Sequence, residues 1–196
     1  MKRLFVVAFI LSVFILFGYL AAAHAGEPKK QLYTACNIWV HKNMHCINYK
    51  MGEYIPAGTE LSKAGRFFDD QNFSHYIYFK KAGSNQKYKM RFNNMWHPGK
   101  TVKEYKNFLF TEKTFDELVE GMTATEIDAI KQGKIVVGMS KKAVLVSYGR
   151  PAEHRTPDLK NDKWRYWMNK RKQKEICFQN GLTLRCSDLE KLPDEL

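Results

Sequence analysis

Acidic residues are scarce in this chain. Its 196 residues include 20 Asp and Glu against 32 Lys and Arg, a formal net charge of +12. That imbalance favours anionic partners: lipid head groups, acidic polysaccharide or the acidic face of another protein. Cysteine is scarce too, with four in all, and none stands at the end of the apolar leader, which excludes a lipid-modified cysteine there. No Gly-x-Ser-x-Gly is present, so the nucleophile elbow of the α/β-hydrolases is excluded. His75, His97 and His154 have no recognisable sequence partner, and the C-terminal Pro193-Asp194-Glu195-Leu196 lacks the lysine of an ER-retention signal.

An export leader is present. Lys2 and Arg3 form a basic start, Leu4 to Leu20 is almost wholly apolar, and Ala23-His24-Ala25 reads as a small-x-small cleavage site. Residues 1–25 are therefore expected to be a signal peptide, with Gly26 opening the mature chain. The apolar run is longer than a usual signal core, so an uncleaved membrane anchor is the alternative. The leader carries only two charges, so nearly all of the +12 belongs to the exported part. Export argues for an envelope or extracellular location and against nucleic acid as partner.

All four cysteines, Cys36, Cys46, Cys177 and Cys186, follow the leader. An even count in an exported protein predicts two disulfides. Three pairings exist, and the local one is expected: Cys36–Cys46 and Cys177–Cys186. Asn180-Gly181 is a hairpin turn signal. A two-residue turn there places Cys177 opposite Leu184, with Cys186 diagonal and too far to bridge without strain. A four-residue loop over 180–183 sets the two cysteines opposite each other.

The chain has two grammars. Residues 26–98 are written in strands: 32–40 is rich in β-branched and aromatic residues, 76–79 is Tyr-Ile-Tyr-Phe, and Tyr88, Met90 and Phe92 alternate with Lys87, Lys89 and Arg91. That period of two buries one face and leaves the other basic. Several short strands predict a small antiparallel β-barrel or roll, of SH3-like spacing. His97-Pro98-Gly99-Lys100 is a break, and residues 99–122 read as a helical connector. From Thr123 to the C-terminus the pattern is α+β. Thr123-Ala124-Thr125-Glu126 is a capping box. Ser140 caps a helix in which Val144, Leu145 and Tyr148 share a face, Met139 staples onto Val144, and Gly149-x-Pro151 stops it. Strands follow at 164–168, 174–179 and 182–186.

Residues 123–186 resemble the SmpA/OmlA family, the fold of the small lipoprotein of the outer-membrane barrel assembly machine in Gram-negative bacteria. The resemblance rests on Ile135-x-x-Gly138-Met139-Ser140-Lys141, then Val144 and Gly149-x-Pro151, with Trp164-x-Tyr166 and Phe178-x-Asn180-Gly181 downstream. It implies two helices on a three-stranded antiparallel sheet, and contact with other envelope components rather than catalysis. The chain departs from the family in lacking a lipid-accepting cysteine and in carrying the extra β-rich half.

Candidate chemistry is sparse. His41, Met44 and His45, beside Cys46, have ligand types that suit copper, but Lys42-Asn43 reads as a turn between them. Asp69-Asp70 and Asp116-Glu117 are adjacent acids of the kind that line solvated faces. Two basic surfaces stand out as binding candidates. One is the tip Lys170, Arg171, Lys172 and Lys174 with Trp167 beside it; the other is Lys80, Lys81, Lys87, Lys89 and Arg91. Aromatics next to cations suit protein or membrane-surface contacts. The expectation is a non-catalytic periplasmic binding or scaffold protein with no cofactor, whose partners are envelope proteins or an anionic envelope surface. Two alternatives are an inhibitor of a hydrolase of the lysozyme or β-lactamase type, whose known inhibitory protein has a similar helix-plus-sheet repeat, and a copper protein built on His41, Met44 and His45.

Overall fold

Side-chain alternation builds the larger of three sheets. The computed structural model describes residues 30–64 and 76–189. In it Tyr88, Met90 and Phe92 are buried, while Lys87, Lys89 and Arg91 are exposed. Six strands hydrogen-bond in the order β3-β7-β6-β5-β1-β8. These are β1 (Leu32–Thr34), β3 (Met44–His45), β5 (Glu60–Ala64), β6 (Tyr76–Lys81), β7 (Lys87–Arg91) and β8 (Phe110–Thr111). All neighbours are antiparallel except β3 and β7. The proposed leader, Asp69-Asp70, His75 and residues 193–196 lie outside the described residues. Among the described residues no helix is long and apolar enough to cross a membrane.

The molecule is α+β, but the expected barrel does not close. Strands β3 and β8, of two residues each, are the two edges of an open sheet. Helix α1 (Val102–Leu109) packs against its inner side, and Tyr105 and Leu109 join Phe79, Met90 and Phe92 in one core. The helix fills the space that a barrel would enclose with a return strand.

A second core gathers the rest. It is built from α2 (Phe115–Val119), α3 (Ala124–Lys131), α4 (Lys141–Tyr148) and the antiparallel sheet β11-β10-β9, with β9 at Lys163–Trp167, β10 at Gln173–Gln179 and β11 at Leu182–Leu184. Each of α1, α2 and α3 begins in a capping box, Thr101 with Glu104, Thr114 with Glu117 and Thr123 with Glu126. Glu126 also accepts from the Ser140 backbone N–H at 2.8 Å, so one carboxylate ties the starts of α3 and α4. Burial raises its pKa, but the hydrogen bonds from Ser140 and Thr123 outweigh burial and hold it below the usual range. Ser140 caps α4, Met139 and Val144 are fully buried, and Gly149 closes the helix at φ 73°. Gly138 and Met139 also exchange backbone hydrogen bonds with Thr183, extending the sheet beyond β11.

The two cores interlock. A short sheet of β2 (Ile38–Trp39) and β4 (Tyr54–Ile55) puts Ile38 into the first core and Trp39 into the second. Between them Asn37, only 1% exposed, donates from Nδ2 to the Ile130 carbonyl at 2.8 Å and accepts from the Ala57 N–H at 2.8 Å. Its own N–H reaches the Val146 carbonyl. The described residues from Gln31 onward belong to one compact unit.

One predicted disulfide is present and the other is not. Cys177 and Cys186 are bonded, with Cα atoms 5.2 Å apart. The hairpin takes the two-residue turn, Asn180 and Gly181 both at positive φ, and Cys177 pairs with Leu184. The diagonal distance is removed because the chain leaves the sheet after Leu184 into a helical turn, α5 (Cys186–Leu189), that swings Cys186 back. Cys36 and Cys46 are free buried thiols. No strand pairing brings them together: β2 pairs with β4, and β3 pairs with β7. Burial pushes both thiols up, Cys36 to about 11 and Cys46 to about 12.

Candidate functional site

The outer face of the large sheet carries the basic residues of β7 in register with aromatic residues of β6. Tyr76 lies opposite Arg91, Tyr78 opposite Lys89, and Lys80 opposite Lys87. The inward positions of β6, Ile77 and Phe79, are buried. The Lys89 ammonium sits 3.8 Å from the centre of the Tyr76 ring and 5.6 Å from that of Tyr78. These two cation–π contacts hold Lys89 upright over two rings rather than loose in solvent. Strand β3 adds His45 beside Arg91. Burial, and then the Arg91 charge, lower the His45 pKa, so the ring is neutral at physiological pH. No carboxylate occupies these seven positions.

An aromatic band leads from this face towards the second predicted surface. His45 packs edge-on against Trp96 at 6.1 Å, and Trp96 packs against His154 at 4.7 Å and Trp167 at 6.1 Å. Trp167 is thus a half-buried member of an aromatic cluster on the side of β9 opposite Trp164 and Tyr166, which are core residues. Beyond it the hairpin tip is exposed. Asn169 Oδ1 accepts the N–H groups of Arg171 and Lys172, both at 2.8 Å, which shapes the turn and leaves Lys170, Arg171 and Lys172 in solvent. Lys174 is exposed on β10, in register with Tyr166. The structure therefore joins the two predicted basic surfaces through His45, Trp96 and Trp167. Tyr76, Tyr78 and Trp96 were missed as site residues. The alternation of Tyr76 and Tyr78 with Ile77 and Phe79 was the signal for two of them; Trp96 sits in a loop with no period to read.

The copper constellation is dispersed. Strand alternation sends Met44 into the core and His45 to the outer face, while His41 Nε2 is 2.9 Å from the Tyr49 carbonyl. Among the described residues the one cluster of His, Cys, Asp or Glu at metal spacing is Glu175, Cys177 and Cys186, and its two sulfurs are in the disulfide.

Lys50 and His97 are buried polar groups outside every predicted site. Lys50 is 7% exposed, and its ammonium lies 4.6 Å from the Trp39 ring, 5.7 Å from Tyr148 and 5.6 Å from Tyr166. Burial lowers its pKa to about 7, against a smaller upward pull from Cys36. His97, fully buried, packs against Tyr105 and stands 3.7 Å from Glu153, which accepts a 2.8 Å hydrogen bond from Arg150 Nε. Burial pushes His97 down to about 4, so it stays uncharged beside that carboxylate. Both groups are sealed beneath the surface. No family model, curated protein or solved structure matches the chain.

Proposed function

We propose that this is a non-catalytic binding protein of the bacterial cell envelope, exported to the periplasm, that attaches to an anionic envelope component through the outer face of β6 and β7. The observation that carries the reading is the register of Tyr76, Tyr78 and Lys80 against Arg91, Lys89 and Lys87, with no acidic residue among them. Four cations on a rigid sheet, one of them propped on two tyrosine rings, attract anionic surfaces without the ordering cost of a flexible loop. The resemblance of residues 123–186 to the SmpA/OmlA family supports the envelope setting. In this reading Lys170, Arg171 and Lys172 with Trp167 form the far end of the same contact area, while Lys174, across from Tyr166, lies on the other side of that sheet.

The test is capture from an envelope extract on immobilised full-length protein at low and high salt. A Lys87→Glu, Lys89→Glu, Arg91→Glu variant is run beside it. Each Lys or Arg near an anionic surface is worth about 1 kcal/mol, so the triple reversal is expected to weaken retention about a hundredfold or more. Retention by the variant equal to that of the parent, at low salt, defeats the proposal. The hydrolase-inhibitor alternative is favoured by one observation, the exposed run Lys170–Lys172 at the tip of a hairpin, and predicts loss of lysozyme or β-lactamase activity on mixing.

A further inference from the structure

An apolar bowl of about 240 Å³ lies where α1, α2 and α4 meet. Phe108, Leu118, Leu145 and Val146 form its floor, with Ala35 at one side. It lies at the seam of the two cores, since Phe108 packs on the first and Leu145 and Val146 on the second. At about 30 Å³ per water-sized group, it has room for about eight methylene-sized groups. It shares no residue with the outer sheet face described above.

The rim is charged, and mostly of one sign. Lys113, Lys142 and Arg150 stand around the bowl with one carboxylate, Glu117. Glu117 is already engaged: it accepts the Thr114 N–H at 2.7 Å and hydroxyl at 2.8 Å in the capping box of α2. Arg150 is fixed, with its guanidinium 4.4 Å from the centre of the Phe108 ring and its Nε on Glu153. Lys142 donates to the Glu120 carbonyl at 2.8 Å, and an ammonium has two further donors to offer. Lys113 and Glu117 also line a neighbouring depression, so the two hollows adjoin along that edge.

An apolar floor under a cationic rim is complementary to a molecule that is apolar at one end and anionic at the other. We propose that the bowl binds a single-chain anionic amphiphile, a medium-chain fatty carboxylate. Its alkyl chain lies on Phe108, Leu118, Leu145 and Val146, and its carboxylate is held among Lys113, Lys142 and Arg150. A flat amphipathic surface would hold any detergent, but this arrangement discriminates by head-group charge and by chain length.

Titration of the full-length protein with decanoate, followed by amide resonances, tests this. The expected result is saturable shifts centred on Leu118, Leu145 and Val146. Octanoate, two methylenes shorter, is expected to bind about tenfold more weakly. Decanol, lacking the charge, loses a charge-assisted contact and is also expected to bind about tenfold more weakly. Leu145→Trp fills the bowl and should abolish the shifts. Lys142→Glu lies on an exposed position of the rim and should weaken decanoate about tenfold while leaving decanol unchanged. That variant keeps the test decisive if Leu145→Trp does not fold. Absence of saturable binding overturns the proposal. So do equal affinity for decanoate and decanol, undiminished binding by a folded Leu145→Trp protein, or shifts that map elsewhere, including the Lys87–Arg91 strand.

Discussion

Lys50 shows how far one side chain can depart from its usual place. Lysine is almost never fully buried unless paired, yet this ammonium has no hydrogen-bond partner among the described residues and faces three aromatic rings. The quadrupoles of Trp39, Tyr148 and Tyr166 offset part of the desolvation cost. The remainder appears as a pKa of about 7 against about 10.4 for an exposed lysine. Below pH 7 both folded and unfolded chains carry the proton, and the folded state bears the whole cost. From pH 7 towards 10.4 the unfolded chain keeps a proton that the folded chain has released, so stability rises by about 1.4 kcal/mol per pH unit. Cys36 and Cys46 act in the opposite direction above about pH 8.5, where unfolded thiols ionise and these buried ones, at about 11 and 12, do not. Urea titrations should therefore show stability climbing between pH 7 and about 8.5. Lys50→Met should flatten that climb and be the more stable protein at pH 7 and below. A variant that keeps the parent's slope would assign the rise to other groups. Nothing in the sequence marks Lys50 as internal, because the three rings that surround it are up to 116 positions away in the chain.

At the scale of elements, α4 was the most legible part of the fold. Its start, staple and stop are all local, and local rules suffice for them: Ser140 accepts from the Ala143 N–H, Met139 and Val144 meet in the core, and Gly149 turns the chain at φ 73°. What the local rules omit is the neighbour. A Cβ on Gly149 would stand 2.9 Å from the Cys36 sulfur, so the same glycine that ends the helix also admits the β1–β2 segment against it. Gly149→Ala is therefore expected to lower stability by about 2 kcal/mol or more, because φ 73° with ψ −174° is a region essentially confined to glycine, costing about 1–3 kcal/mol by itself, and the close approach of the sulfur adds to it. Pairing it with Cys36→Gly should recover the steric part but not the conformational part. If Gly149→Ala alone costs about 1 kcal/mol and the second change restores nothing, the contact with Cys36 is inconsequential. The same contrast explains the cysteines. Cys177 lies on the β10–β11 hairpin and Cys186 in the helical turn directly after it, close in sequence, so proximity could be read. Cys36 and Cys46 are nearly as close in sequence, but the strands beside them choose partners elsewhere, and pairing between distant strands has no local signal. The outer face was half legible for that reason: the period of two gave Lys87, Lys89 and Arg91, but only the β6–β7 register places Tyr76 and Tyr78 beside them.

At the scale of the molecule, the two cores are expected to open as one. The change of grammar near residue 98 suggested separable parts, whereas β2 feeds one side chain to each core and Asn37 fastens three segments where they meet. Its amide satisfies the Ala57 N–H and adds a second hydrogen bond to the Ile130 carbonyl, which also accepts the Gly133 N–H. Asn37→Ala strands the buried Ala57 N–H, and a stranded group costs about 1–3 kcal/mol. Loss of about 1–3 kcal/mol is the expected result, and its distribution is the informative part. In native-state hydrogen exchange, the buried strand amides of Ile77 and Met90 report on the first core, and those of Ile176 and Phe178 on the second. A single cooperative unit gives the same opening free energy at all four in the parent protein and the same decrease at all four in the variant. If exchange accelerates at Ile176 and Phe178 while Ile77 and Met90 keep their protection, the cores open independently. The basic face on β6 and β7 could then hold its shape while the helical layer, and the apolar bowl at the seam, come apart beneath it.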